Sequence, residues 1–200
     1  MKIRRIALAI ACTLVLAGCL PVTSKTPVGT TAGLGADEAL LGTWVGHGED
    51  QKDKGAAYFH FLRGKDSADG AISALMVMTG PGKSDDGWMS FTVRTATLGA
   101  NRYMNAVQTG QDGKPADDQL KNANLPMLYR FGKNRTLTLY WFDEDKVKEA
   151  IAAGKIAGTV EAGNFGDVKI TADAATLDAF MATPEAAKLF KVFIALKRVE

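Results

Sequence analysis

Between positions 56 and 142 the chain repeats one device: a short run in which apolar and polar residues alternate, closed by a turn rich in Gly, Asp or Asn. Alternation with a period of two places one set of side chains on one face of a strand. The clearest case sets Met127, Tyr129 and Phe131 against Leu137, Leu139 and Trp141, with Gly132-Lys133-Asn134 as the tight turn between them. Such a pair reads as a β-hairpin. A chain of consecutive hairpins builds antiparallel sheet, because parallel neighbours need a long crossover.

Upstream, Ala57 to Arg63 carries Phe59 and Phe61 on one face and Tyr58, His60 and Leu62 on the other. Asp69-Gly70 turns the chain into Ala71–Met78, a strand apolar on both faces, which predicts cover on each side. Trp88 leads into Met89, Phe91 and Val93, which alternate with Ser90, Thr92 and Arg94. Leu98 to Asn101 turns the chain, and Arg102 to Gln108 brings it back. The polar stretch 109–126 is long for a connection inside a compact domain and reads as a loop.

After Trp141 the rhythm changes. Asp143 is expected to cap a helix with an acidic start, which Gly154 stops. Ile156–Glu161 and Val168–Thr171 read as short strands, and Asp173–Met181 as a helix. Thr183-Pro184-Glu185 opens another short helix, and Lys191–Val199 closes the chain as a strand. The expected class is therefore α+β. It is a predominantly antiparallel sheet or small β-barrel-like domain of about eight or nine strands, with about three short helices near the C-terminal third.

The N-terminus carries an address. Met1-Lys2-Ile3-Arg4-Arg5 is a basic start, and Ile6–Leu16 is an apolar run of 11 residues. A bilayer span needs about 20. Leu16-Ala17-Gly18-Cys19 follows, and the whole segment resembles the bacterial lipoprotein signal. That resemblance implies cleavage between Gly18 and Cys19, acyl chains on Cys19, and a place in the cell envelope. It implies the outer membrane facing the periplasm, because Leu20 rather than aspartate follows the cysteine. Cys12 leaves with the signal, so Cys19 is the one cysteine retained. The expected organisation is a signal at 1–18, a flexible Thr/Gly/Pro tether at 19–35 and a single globular domain at 36–200. Losing Lys2, Arg4 and Arg5 takes the net charge from +2 to −1, which gives no electrostatic reason to expect nucleic acid.

Ala36–Leu41 suits one helical turn, and Gly42-Thr43-Trp44 opens a strand behind it. This Gly-x-Trp resembles the first strand of lipocalins and related small barrels. The resemblance implies that Trp44 plugs the closed end of a barrel, under an arginine near the chain end such as Arg198. The chain departs from that family in placing helices before its final strand.

Motifs for chemistry are few. His47 and His60 with a nearby Glu49 match no zinc spacing, and Asp50–Gly55 puts lysines where calcium needs oxygens. Asp143-Glu144-Asp145 is explained as a helix start, and Asp85-Asp86 as turn residues. No serine-nucleophile, dinucleotide or phosphate-binding motif occurs. The expectation is a non-enzymatic protein without catalytic residues, cofactor or metal.

What stands out is apolar: Trp44, Phe59, Phe61, Met76, Trp88, Phe91, Tyr129 and Trp141. These either line a pocket for an apolar ligand or fill a core. Three functions stay open: a carrier of a small apolar molecule, a structural or protein-interaction module, and an envelope hydrolase. The expected partners are the membrane through Cys19 and either an apolar ligand or an envelope protein.

Overall fold

The computed structural model describes residues 21–47, 55–64, 70–80, 86–161 and 168–199. The signal segment, Gly18, Cys19, the 48–54 connection and Asp85 lie outside the described residues. Twelve strands occur among the described residues, beginning with the two-residue β1 (Thr23–Ser24) and then β2 (Gly42–His47) and β3 (Ala56–Arg63). Next come β4 (Ile72–Thr79), β5 (Gly87–Leu98), β6 (Asn101–Gln111) and β7 (Lys114–Pro115). A short α1 (Asp118–Lys121) precedes β8 (Leu125–Gly132) and β9 (Thr136–Phe142). Then follow α2 (Glu144–Ala152), β10 (Gly158–Val160), β11 (Val168–Ile170), α3 (Ala174–Met181), α4 (Pro184–Ala187) and β12 (Phe190–Arg198).

Eight of these strands close into an antiparallel barrel. Around the ring they run β2, β3, β4, β5, β6, β8, β9 and β12, and β12 returns to β2; β7 hangs beside β6. Hairpins join β2 to β6 in turn and β8 to β9, whereas β9–β12 and β12–β2 bring together strands far apart in the chain. Closure removes the free sheet edges that an open sheet would expose. The hairpin at Gly132 turns through Asn134, which sits at φ 57 in the left-handed region that asparagine tolerates.

The barrel has a core inside and another against its outer wall. Inside lie Trp44, Phe61, Ile72, Val93, Met104, Tyr129, Leu137 and Leu139, all buried. Outside, Tyr103 of β6, Leu128 of β8 and Phe142 of β9 pack under α2, α3 and the small sheet β1–β11–β10. Each large apolar side chain fully buried there contributes roughly 1.5–3 kcal/mol relative to exposure. The doubly covered strands are therefore β6, where residues 103–106 are all buried, and β8, where Leu128 and Tyr129 are. The cover expected on both faces of 71–78 is not what forms. Ile72, Ala74 and Met76 point inward, while Ser73 is exposed and Leu75 and Val77 are half-buried. An apolar composition does not by itself say which strand the helices lie on.

The tether is also a correction. From Val22 onward the segment is folded into the domain: Val22, Ser24 and Val28 are buried. Asn105 accepts from the Val28 N–H at 2.7 Å and donates to its carbonyl at 2.8 Å. Asp178 of α3, itself buried, accepts from the Gly29 N–H at 2.6 Å, the Thr31 N–H at 2.7 Å and the Thr31 hydroxyl at 2.6 Å. Gly29 (φ 92) must be glycine, since a Cβ there would meet that of Ala96 at 2.0 Å. These contacts come one residue at a time from partners far along the chain, so no periodicity announces them.

The stretch 109–126 is likewise not one loop. β6 runs on to Gln111, Asp112 (φ 49) and Gly113 (φ 79) turn the chain, and α1 follows, capped by Asp117 through the Gln119 N–H. Asp143 precedes α2 as expected but makes no capping hydrogen bond. Its carboxylate faces Lys146 at 3.9 Å and Lys191 at 3.8 Å instead.

Candidate functional site

The two ends of the barrel differ, and the difference starts with β2. The 3-10 turn Glu38–Leu40, whose first N–H groups would otherwise be unpaired, is capped by Asp37 through the Ala39 N–H. Its carbonyl at Leu40 accepts the Trp44 indole N–H at 2.7 Å. The Arg198 guanidinium lies 5.3 Å from the Trp44 ring and donates to the Leu41 carbonyl at 2.5 Å. Gly42, at φ 121, is what admits it: a Cβ there would stand 3.0 Å from the Arg198 guanidinium nitrogen. With Phe131 6.0 Å from Trp44, this end is plugged.

Beside the plug an open cleft of about 320 Å³ is lined by Gly35, Asp37, Thr95, Thr97, Arg102 and Tyr129. Tyr129 donates to the Asp37 carboxylate at 2.8 Å, and Arg102 approaches the same oxygen at 3.5 Å. Burial first, then the Asp37 carboxylate, push the Tyr129 hydroxyl well above its ordinary pKa, so it stays protonated. The carboxylate is thus shared between Tyr129, Arg102 and the Ala39 N–H. The trio ties the 3-10 turn to the barrel wall.

At the opposite end the interior face is less deeply buried among the described residues. Register carries the inward face along β3, β4 and β5 through Ala57↔Met78 and Met76↔Met89. Deep on these strands Phe59, Phe61, Ala74 and Met76 are buried, whereas Ala57, Met78, Met89 and Phe91 near the rim are half-buried. The face is apolar throughout, and it passes from buried to half-buried towards this end, the mouth of the barrel.

The far wall of this mouth comes from β9 and β12. β12 bulges between Val192 and Ile194, so Phe193 is the extra residue. It turns inward onto Trp141, with ring centres 4.6 Å apart, and edge-on to Phe59 at 6.5 Å. A bulge is a usual way to re-aim one side chain. A second irregularity between Ser90 and Phe91 sets Phe91 opposite Gln108, which is 4% exposed and makes a long contact of 3.4 Å to Gln111. The Trp141 indole nitrogen is buried and has no hydrogen-bond partner among the described residues. Leaving such a donor unpaired costs roughly 1–3 kcal/mol.

The apolar residues singled out in the sequence thus divide three ways. Trp44, Phe59, Phe61, Met76 and Tyr129 are interior core. Phe91 and Trp141 reach the mouth. Trp88 does not line the interior at all: it pairs with Val77 on the outer wall and is 38% exposed. Parity is the reason, since Met89, one residue on, points inward. Phe193 escaped notice because only the bulge turns it in.

His60 stands on the outer wall, its ring nitrogen 3.0 Å from the Thr43 hydroxyl. Among the described residues no group of three or more His, Cys, Asp and Glu side chains could hold a metal ion. Comparison with protein-family models, with curated proteins and with solved structures returned no match.

Proposed function

We propose that this chain is a lipid-anchored protein of the bacterial outer membrane, facing the periplasm, whose barrel binds a small apolar molecule at its open end without acting as an enzyme. The observation that carries the binding reading is the contrast between a plugged end at Trp44 and an apolar, half-buried interior face at the other. The Trp141 N–H and the Gln108 amide supply two polar groups in that mouth. A ligand that is mostly apolar but carries one hydrogen-bond acceptor fits them, since a few placed polar groups orient a molecule in an apolar site. The anchoring reading is supported by Leu16-Ala17-Gly18-Cys19. Lipocalin-like architecture is supported by Gly42-Thr43-Trp44 under Arg198 on an eight-stranded circuit, although β10, β11 and the helices are inserted before the final strand.

Titrating an apolar fluorescent dye into the purified protein tests the binding reading. Saturable enhancement is expected, and Met89→Arg, which puts a charge at the mouth, should abolish it while near-ultraviolet circular dichroism stays native. Unsaturable binding, or enhancement indifferent to Met89→Arg, would sink the assignment.

A second reading, a protein-interaction module, is favoured by a separate observation. Val45, Tyr58, Val77 and Trp88 stand in register as one apolar row across the outer wall of β2–β5. Trp88→Ser alters that row and leaves the mouth intact, so the two readings separate by variant.

A further inference from the structure

Very little chain separates the proposed lipid from the folded body. Cys19 precedes the buried Val22 by three residues, and three residues reach at most about 11 Å when fully extended. Beyond Val22 there is no slack. Thr23 and Ser24 pair in parallel with Lys169 and Ile170 of β11. Ser24 exchanges two backbone hydrogen bonds with Asn124, at 2.9 and 3.1 Å, and the Lys25 N–H donates to the Ile170 carbonyl at 2.9 Å.

We infer that the outer face of the β1–β11–β10 sheet rests on the anionic phospholipid headgroups of the leaflet that receives the Cys19 acyl chains. The inference depends on the lipidation proposed above. Register defines that face. Thr23, Lys169 and Thr159 stand side by side across the three strands, while Ser24, Val168 and Ile170 turn to the core. Lys25 and Lys169 are exposed there, and the exposed Glu161 follows at the far edge. Lys169 pairs with Thr23, four residues after Cys19, so at most about 14 Å of extended chain separates its strand from the proposed anchor. The opposite wall of the barrel, with Ser73 on β4, then faces away from the membrane, because β1 lies against the end of β8 across the ring.

The test uses the full-length lipoprotein, purified and reconstituted into vesicles of phosphatidylethanolamine and phosphatidylglycerol. A single cysteine is introduced as Lys169→Cys, Lys25→Cys or Ser73→Cys and given a fluorophore. Cys12 leaves with the signal and the thioether occupies the Cys19 sulfur, so only the new thiol reacts. Lipids carrying a headgroup quencher should quench the labels at 169 and 25 several-fold more than the label at 73. Inserting about twelve Gly/Ser residues between Leu20 and Pro21, worth roughly 17–20 Å of slack, should diminish that contrast. Mass spectrometry of the N-terminal peptide separates the two claims. With the lipid present on Cys19, equal quenching at 169, 25 and 73 overturns the seating and leaves the anchor standing. An unmodified Cys19 overturns the anchor and the seating together.

Discussion

Tyr103 shows how one position can be fixed from two sides. It is fully buried, its ring lies 5.9 Å from Phe190, and its hydroxyl donates to the Met181 carbonyl at 2.8 Å. Burial pushes that hydroxyl up from 10.0 to about 12. The folded protein therefore holds the proton more tightly than the unfolded chain does. Its contribution is fully present below pH 10 and is lost as pH rises towards 12. Urea titrations at stepped alkaline pH should show stability falling across that window by about 2–3 kcal/mol from this group. In Tyr103→Phe the slope should shrink, because Tyr129, raised in the same direction, still contributes. An unchanged slope would mean that Tyr103 ionises as freely folded as unfolded. At the same scale, parity decided the tryptophans. The alternation Met89, Phe91, Val93 was legible, and it already turned Trp88 outward. Trp88 shares the outward parity of Ser90 and Thr92, which sets it apart from the interior aromatic residues.

Among the elements, the N-terminal segment depends on α3. The Asp178 carboxylate accepts three hydrogen bonds from Gly29 and Thr31. Asp178→Ala leaves those donors unpaired and should cost about 3 kcal/mol. Hydrogen exchange should then accelerate at Gly29 and Thr31 while the β8–β9 hairpin keeps its protection. Equal acceleration in both would show that the segment does not open separately. The starts of α3 and α4 were legible because caps are local: Asp173 accepts from the Thr176 N–H at 3.0 Å and Thr183 from the Ala186 N–H at 3.4 Å. The bulge in β12 was not legible. Phe193 is one more apolar residue in an apolar strand, and only pairing with β9 shows it to be the extra one.

For the whole molecule, the decisive feature is that two cores share their strands. β6, β8 and β9 face the barrel interior on one side and the helical layer on the other. Neither core can be lost without exposing the other, so unfolding should be one cooperative transition. Near-ultraviolet circular dichroism, which reports the aromatic interior, and far-ultraviolet helical signal should give the same urea midpoint. Separate midpoints would mean that the helical layer peels away first. The sequence by itself determined the main hairpins, the starts of α3 and α4 and the antiparallel class, because each rests on residues a few positions apart. Closure of the ring, the folding of 21–35 onto it, the choice of β6 and β8 as the covered strands, and the meeting of Phe193 with Trp141 were decided only in three dimensions. Each depends on partners as far apart as Gly29 and Asp178 or Trp44 and Arg198, and no local pattern encodes such a meeting.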